Sequence, residues 1–103
     1  MTEDRYLNES QQRVLRVLLA MSGHEVLGLT PGELAKGLEL APSQITRDLA
    51  NLHIAGLAEE IVDTGRWRLT PKLIQIGIAM QLAVEDAERK LCEITQRYTR
   101  TPR

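Results

Sequence analysis

The stretch PSQITRDLANL, residues 42–52, concentrates side chains that can donate and accept hydrogen bonds side by side: Ser43, Gln44, Thr46 and Arg47, with Asn51 one turn further on. Glutamine presents a carbonyl oxygen next to an amide, the complement of adenine's edge. The forked guanidinium of arginine complements guanine, and serine or threonine suits a base or a phosphate. Asn51 falls where backbone or solvent is the nearer partner. Pro42 can open a helix at the position where its missing N–H costs nothing, and the free N–H groups beside Ser43 then suit a phosphate. A second set lies in GRWRL. Arg66 and Arg68 are two residues apart, so on a strand both leave one side while Trp67 turns to the other, towards a core. With Lys72 shortly after, these cations suit phosphates or a narrow minor groove.

Other chemistries find no support. No serine has a histidine and acid partner suggested by sequence, no glycine-rich phosphate loop follows a strand, and the carboxylates fall on solvated faces, so no enzyme is expected. His24 and His53 stand alone, without a cysteine or histidine at ligand spacing, and neither a metal nor another cofactor is expected. The single cysteine, Cys92, cannot form an intramolecular disulfide and reads as a small buried residue. With 103 residues and 43% hydrophobic content, the chain suits one domain plus an extension. No run approaches the roughly 20 apolar residues of a membrane span. The opening MTEDRYLNES is acidic and polar where a secretory signal is basic and then apolar, which predicts a cytoplasmic protein.

The net charge of −1 is unevenly spread. Acids gather at Glu3, Asp4, Glu59, Glu60, Asp63, Glu85, Asp86 and Glu88, while the tail after Glu93 holds Arg97, Arg100 and Arg103 without an acid. This balance implies a modest phosphate grip per subunit, of a kind that two subunits must share.

The elements that position these groups follow from periodicity. Val14, Leu15, Leu18, Leu19 and Met21 recur at helical spacing after Asn8 and Gln11, which stand in capping-box positions, and the helix is expected to end near Gly23. HEVLGL can form a brief strand. Thr30, Pro31 and Glu33 predict a capped second helix to about Gly37, and Glu39-Leu40-Ala41 a tight turn. The third helix, over 42–55, buries Ile45, Leu49 and Leu52 and ends at Gly56. LAEEIV and RWRL then alternate with period two around Asp63-Thr64-Gly65, a hairpin that packs through Leu57, Ile61, Trp67 and Leu69. Thr70-Pro71 repeats the cap-then-proline start before a helix reaching to about Tyr98. In it Gly77, Met80, Val84, Ala87, Leu91 and Ile94 form a seam for pairing with a second copy, beside a second apolar face of Ile74, Ile78 and Leu82. The alternative is that the stripe folds back over its own domain.

This order of elements is a winged helix-turn-helix: mainly α, with a small β-hairpin wing and a long C-terminal helix. The expected division is a DNA-binding domain over 8–70, a dimerisation helix over 71–98 and a flexible basic tail over 99–103. The pieces VLRVLLAM, LTPGELAKGLELAPSQITRDLANLHIAGLAEE and GRWRLTPKLIQIG resemble the N-terminal DNA-binding domain of the IclR family of bacterial transcriptional regulators, over residues 14–77. The likeness is strongest at the wing exit, through Gly65, Arg66, Trp67, Arg68, Leu69, Leu73 and Gly77. The resemblance implies double-stranded DNA as partner, with the third helix in the major groove and the hairpin over the backbone or minor groove. Members of that family continue into an effector-binding domain, whereas here one further helix follows, so no small-molecule effector is expected. A homodimeric, sequence-specific repressor is the resulting expectation, of the compact kind found among phage and mobile-element regulators. The competing reading is a winged helix that docks on protein and leaves DNA alone.

Overall fold

The computed structural model describes residues 4–100. A 3-10 turn at Asp4–Tyr6 precedes α1 (Glu9–Met21), α2 (Pro31–Leu38), α3 (Pro42–Ile54), β1 (Ala58–Ile61), β2 (Arg66–Leu69) and α4 (Lys72–Thr99). The chain divides into two units, the first ending at Lys72 and the second beginning at Leu73.

In the first unit α1 and α2 start where a side chain replaces a missing backbone partner. Asn8 Oδ1 accepts from the Gln11 N–H at 3.0 Å. Thr30 and Glu33 form a reciprocal box, with Thr30 Oγ1 accepting from Glu33 N at 3.0 Å and Glu33 Oε1 from Thr30 N at 3.3 Å. The α2–α3 turn is made at Glu39, which adopts the left-handed conformation (φ 57°) that glycine normally supplies. Gly56, at φ 79°, follows the end of α3 as expected.

The core gathers Val17 and Met21 of α1, Leu34 and Ala35 of α2, Ile45, Leu49 and Leu52 of α3, and Ala58 and Leu69 of the hairpin. The buried face of α1 differs from the expected one. It centres on Val17 and Met21, whereas Leu15 and Leu19 point to solvent, Leu19 with 71% of its surface exposed. The leucines satisfy a helical period on either side of α1, and only packing decides which side turns inward.

The hairpin pairs Ala58 with Leu69, Glu59 with Arg68, Glu60 with Trp67 and Ile61 with Arg66. Directly opposed residues share a face, so Ile61 lies on the side of Arg66 and Arg68, apart from Trp67 and Leu69 with which it was expected to pack. The loop between the strands is longer by one residue than anticipated, because Val62 joins Asp63, Thr64 and Gly65 in the turn. The HEVLGL segment is mostly turn. Its extended part reduces to Leu29, which exchanges backbone hydrogen bonds of 2.8 and 2.7 Å with Trp67 and so covers the outer edge of β2.

The second unit holds all of α4 but its first residue; the helix runs from Lys72 to Thr99 with none of its residues buried. Thr70, anticipated as its cap, instead donates from Oγ1 to Gly56 O at 2.6 Å. Cys92 is exposed on α4 rather than buried. Arg103 and the end of the expected basic tail lie outside the described residues. Among the described residues no helix is long and apolar enough to cross a membrane.

Candidate nucleic-acid interface

The helix that carries the candidate residues is held from behind by three apolar groups and one ion pair. Ile45, Leu49 and Leu52 face the core, and Asp48, on the same side, is 3% exposed. A buried carboxylate needs a partner. Arg13 of α1 supplies it, with Nε 2.8 Å from Asp48 Oδ2 and Nη2 2.9 Å from Oδ1. The fork is bidentate, the geometry in which arginine and carboxylate bind most strongly. These hydrogen bonds, ahead of simple charge attraction, push the Arg13 guanidinium above its ordinary pKa. Sequence reasoning did not find this pair, although Arg13 and Asp48 each sit at the edge of a helix's apolar face, where a charge must be paired or exposed.

The opposite side of α3 is open. Ser43, Thr46, Arg47 and Asn51 are exposed and Gln44 is half-buried. Hydrogen bonding separates them further. Gln44 Oε1 accepts from Ala41 N at 3.0 Å, completing the helix start that Ala41 cannot cap itself, so its oxygen serves the fold. Thr46 Oγ1 donates back to Pro42 O at 3.0 Å, and Asn51 Nδ2 to Arg47 O at 2.8 Å. Arg47 is in no ion pair among the described residues. With Asp48 turned inward onto Arg13, the outward side of α3 carries the charge of Arg47 without an acid beside it.

The cations of the wing are bound within the protein. Arg66 donates from Nε to Leu27 O at 3.0 Å and from Nη2 to Gly28 O at 3.1 Å, and Nη2 lies 3.0 Å from Glu33 Oε1. It therefore fastens the hairpin to the loop before α2. Glu33 gains from the arrangement: the Thr30 backbone and hydroxyl, and then Arg66, hold its carboxyl below its ordinary value. Arg68 pairs across the strands with Glu59 at 2.9 Å, a half-buried bridge that water and competing anions still reach. Lys72 Nζ donates to Ala55 O at 3.4 Å, placing a cation at the negative end of the α3 dipole.

The remaining polar candidates behave structurally. His53 Nδ1 lies 3.3 Å from Ala58 O and its ring meets Trp67 edge-on, 6.2 Å between centroids. No group of three or more His, Cys, Asp or Glu side chains among the described residues could hold a metal ion.

Three helices in a helix-turn-helix arrangement, a two-stranded hairpin beside them and an open third helix define the winged helix-turn-helix class. An IclR transcriptional regulator from Alicyclobacillus acidocaldarius shares the fold, with a TM-score of 0.64 and 27% sequence identity over 71% of this chain and 29% of that one. This chain thus spans less than a third of that regulator, and its resemblance to the N-terminal part of such proteins holds in structure as well as in sequence. A MepR point mutant of S. aureus bound to an oligodeoxyribonucleotide aligns with a TM-score of 0.48 and 23% identity, over 88% of this chain and 67% of that one. No protein-family model matches the sequence, and none of the curated proteins matches it.

Proposed function

We propose that this chain is a sequence-specific DNA-binding transcriptional regulator, acting in the cytoplasm as a homodimeric repressor and without catalytic activity. The observation that carries the reading is the two-sidedness of α3: Asp48 is neutralised by Arg13 on the inner side, and Arg47 projects unpaired from the outer side. A helix so presented fits the major groove, where Arg47 meets a guanine edge and Ser43 a base or phosphate. Gln44 contributes through its amide, since its oxygen caps the helix, and Thr46 and Asn51 contribute at the flanks. Of the wing cations, Arg68 is the one able to exchange its half-buried partner for a phosphate, while Arg66 and Lys72 set the position of the wing and add charge beside it.

The apolar seam of α4 supports the dimer. Gly77, Met80, Val84, Ala87, Leu91 and Ile94 recur in three- and four-residue steps, the spacing at which a helix buries a seam against a second helix. Two subunits then offer two recognition helices to half-sites about 34 Å apart. Repression by occlusion of the site needs no further chemistry.

A second reading, docking on a protein partner, is favoured by one observation, the solvent-facing Leu15 and Leu19 of α1. Selection of bound duplexes from a random pool at near-physiological salt, with Arg47→Ala in parallel, separates the two. A two-fold symmetric motif enriched by the wild type and lost in the variant supports the regulator. Absence of enrichment supports docking, whereas a motif enriched alike by both proteins supports DNA reading that does not run through Arg47.

A further inference from the structure

Four exposed residues of α3 stand in one line at steps of four, three and four: Ser43, Arg47, Ala50 and Ile54. This line lies opposite the buried Ile45 and Leu52, and so is the most outward part of the helix. The polar side chains beside it are partly occupied, Gln44 by the Ala41 N–H, Thr46 by the Pro42 carbonyl and Asn51 by the Arg47 carbonyl. Beyond Arg47 the line presents only apolar carbon: the methyl of Ala50, then Ile54, which is 81% exposed. An apolar side chain held open to solvent at the end of a helix gains nothing from folding, and it gains on binding if an apolar group meets it.

The one apolar group on the floor of the major groove is the C5 methyl of thymine. Ala50 follows Arg47 by three residues, about 4.5 Å along the helix axis, more than one base-pair step of about 3.4 Å and less than two, so the two side chains address neighbouring pairs. We infer that Ala50 is a specificity-determining residue that reads a thymine methyl at the base pair next to the one met by Arg47, with Ile54 shielding that contact from water. The inference rests on the DNA-reading assignment above and adds to it a second element of the code, one with no hydrogen bond.

The test uses the full chain and a duplex enriched from the random pool, with each thymine replaced in turn by deoxyuridine. The replacement removes the methyl and leaves pairing intact. One thymine per half-site, adjacent to the guanine whose substitution mimics Arg47→Ala, loses about threefold to tenfold in affinity. In Ala50→Gly that sensitivity disappears, and circular dichroism reports whether the variant folds. Because glycine weakens a helix, Ala50→Ser provides a second variant, which keeps the helix and makes the contact polar. If no thymine responds while Arg47→Ala still abolishes binding, the methyl contact is wrong and the regulator stands. The same holds if the response persists unchanged in both Ala50 variants. If the wild type enriches no sequence at all, the DNA-reading assignment fails and the methyl contact with it.

Discussion

Arg13 and Asp48 join α1 to α3 through two parallel hydrogen bonds of 2.8 and 2.9 Å, 35 residues apart in sequence and at the back of the helix that faces outward through Arg47. The pair fixes the rotation of α3 about its axis, because Asp48 cannot leave the interior side without abandoning both bonds. It also removes a negative charge that would otherwise oppose phosphate approach.

Replacing Asp48 by alanine strands Arg13 and deletes the fork. The expected loss is about 1.5–3 kcal/mol of stability, the range for hydrogen bonds to charged groups. Urea unfolding of wild type and Asp48→Ala measures it, and a loss below about 0.5 kcal/mol contradicts a positioning role. Arg13→Lys keeps the charge but not the fork and falls between the two.

Two left-handed backbone positions have opposite signs. Gly28 has φ +75°, and a Cβ placed there would lie 2.7 Å from the Trp67 carbonyl oxygen, so Gly28→Ala destabilises by more than about 1 kcal/mol and loosens the Leu29–Trp67 bridge. Glu39 has φ 57° with a side chain, and Glu39→Gly stabilises by up to about 1 kcal/mol. Thermal unfolding of the two variants checks both signs.

Glu33 supplies a pH dependence. Its carboxyl is held below its ordinary value of 4.5, first by the Thr30 hydrogen bonds and then by Arg66. A folded-state pKa below the unfolded one means stabilisation that is complete above the unfolded value and is lost as the pH falls through the folded one. Over the acidic interval below that ordinary value the wild type therefore loses stability, and Glu33→Gln is less stable near neutrality with a flatter acid limb. Denaturation midpoints across that interval test this; parallel curves for the two proteins would count against it.

The α4 seam predicts association. Val84→Glu, which introduces a charge into the centre of the stripe, converts a dimer to monomer, seen by sedimentation or light scattering, and weakens operator binding more than tenfold through lost bivalency. Ile78→Glu, on the second apolar face, leaves the dimer intact if the seam is correctly drawn.

Much of the fold was legible because local signals and burial agree. Thr30-Pro31-Gly32-Glu33 states its helix start in full, Pro42 opens α3, and the step pattern of Ile45, Leu49 and Leu52 fixes its inner face. What escaped was decided by tertiary geometry. Leu15 and Leu19 satisfy the same helical period as Val17 and Met21, and composition cannot say which side of α1 meets α3. Arg66 reads as a phosphate ligand, and its hold on the Leu27 and Gly28 carbonyls, 39 and 38 residues earlier, gives no local sign. Gln44 has the side chain for adenine, yet Ala41 leaves the start of α3 uncapped and Gln44 fills the gap. Asp48 lies among the apolar positions of α3, and its partner 35 residues earlier gives no local sign.

The central claim is that the outward side of α3 reads DNA through Arg47. Fluorescence-anisotropy titrations of an enriched duplex and a random-sequence duplex, with wild type and Arg47→Ala at low and near-physiological salt, test it most directly. The wild type is predicted to bind the enriched duplex about a thousandfold or more tighter than the random one, with affinity falling steeply as salt rises. In Arg47→Ala the ratio between the two duplexes should collapse at least tenfold while the fold is unchanged. Equal affinity of the wild type for both duplexes, or a ratio that survives in the variant, would contradict the account.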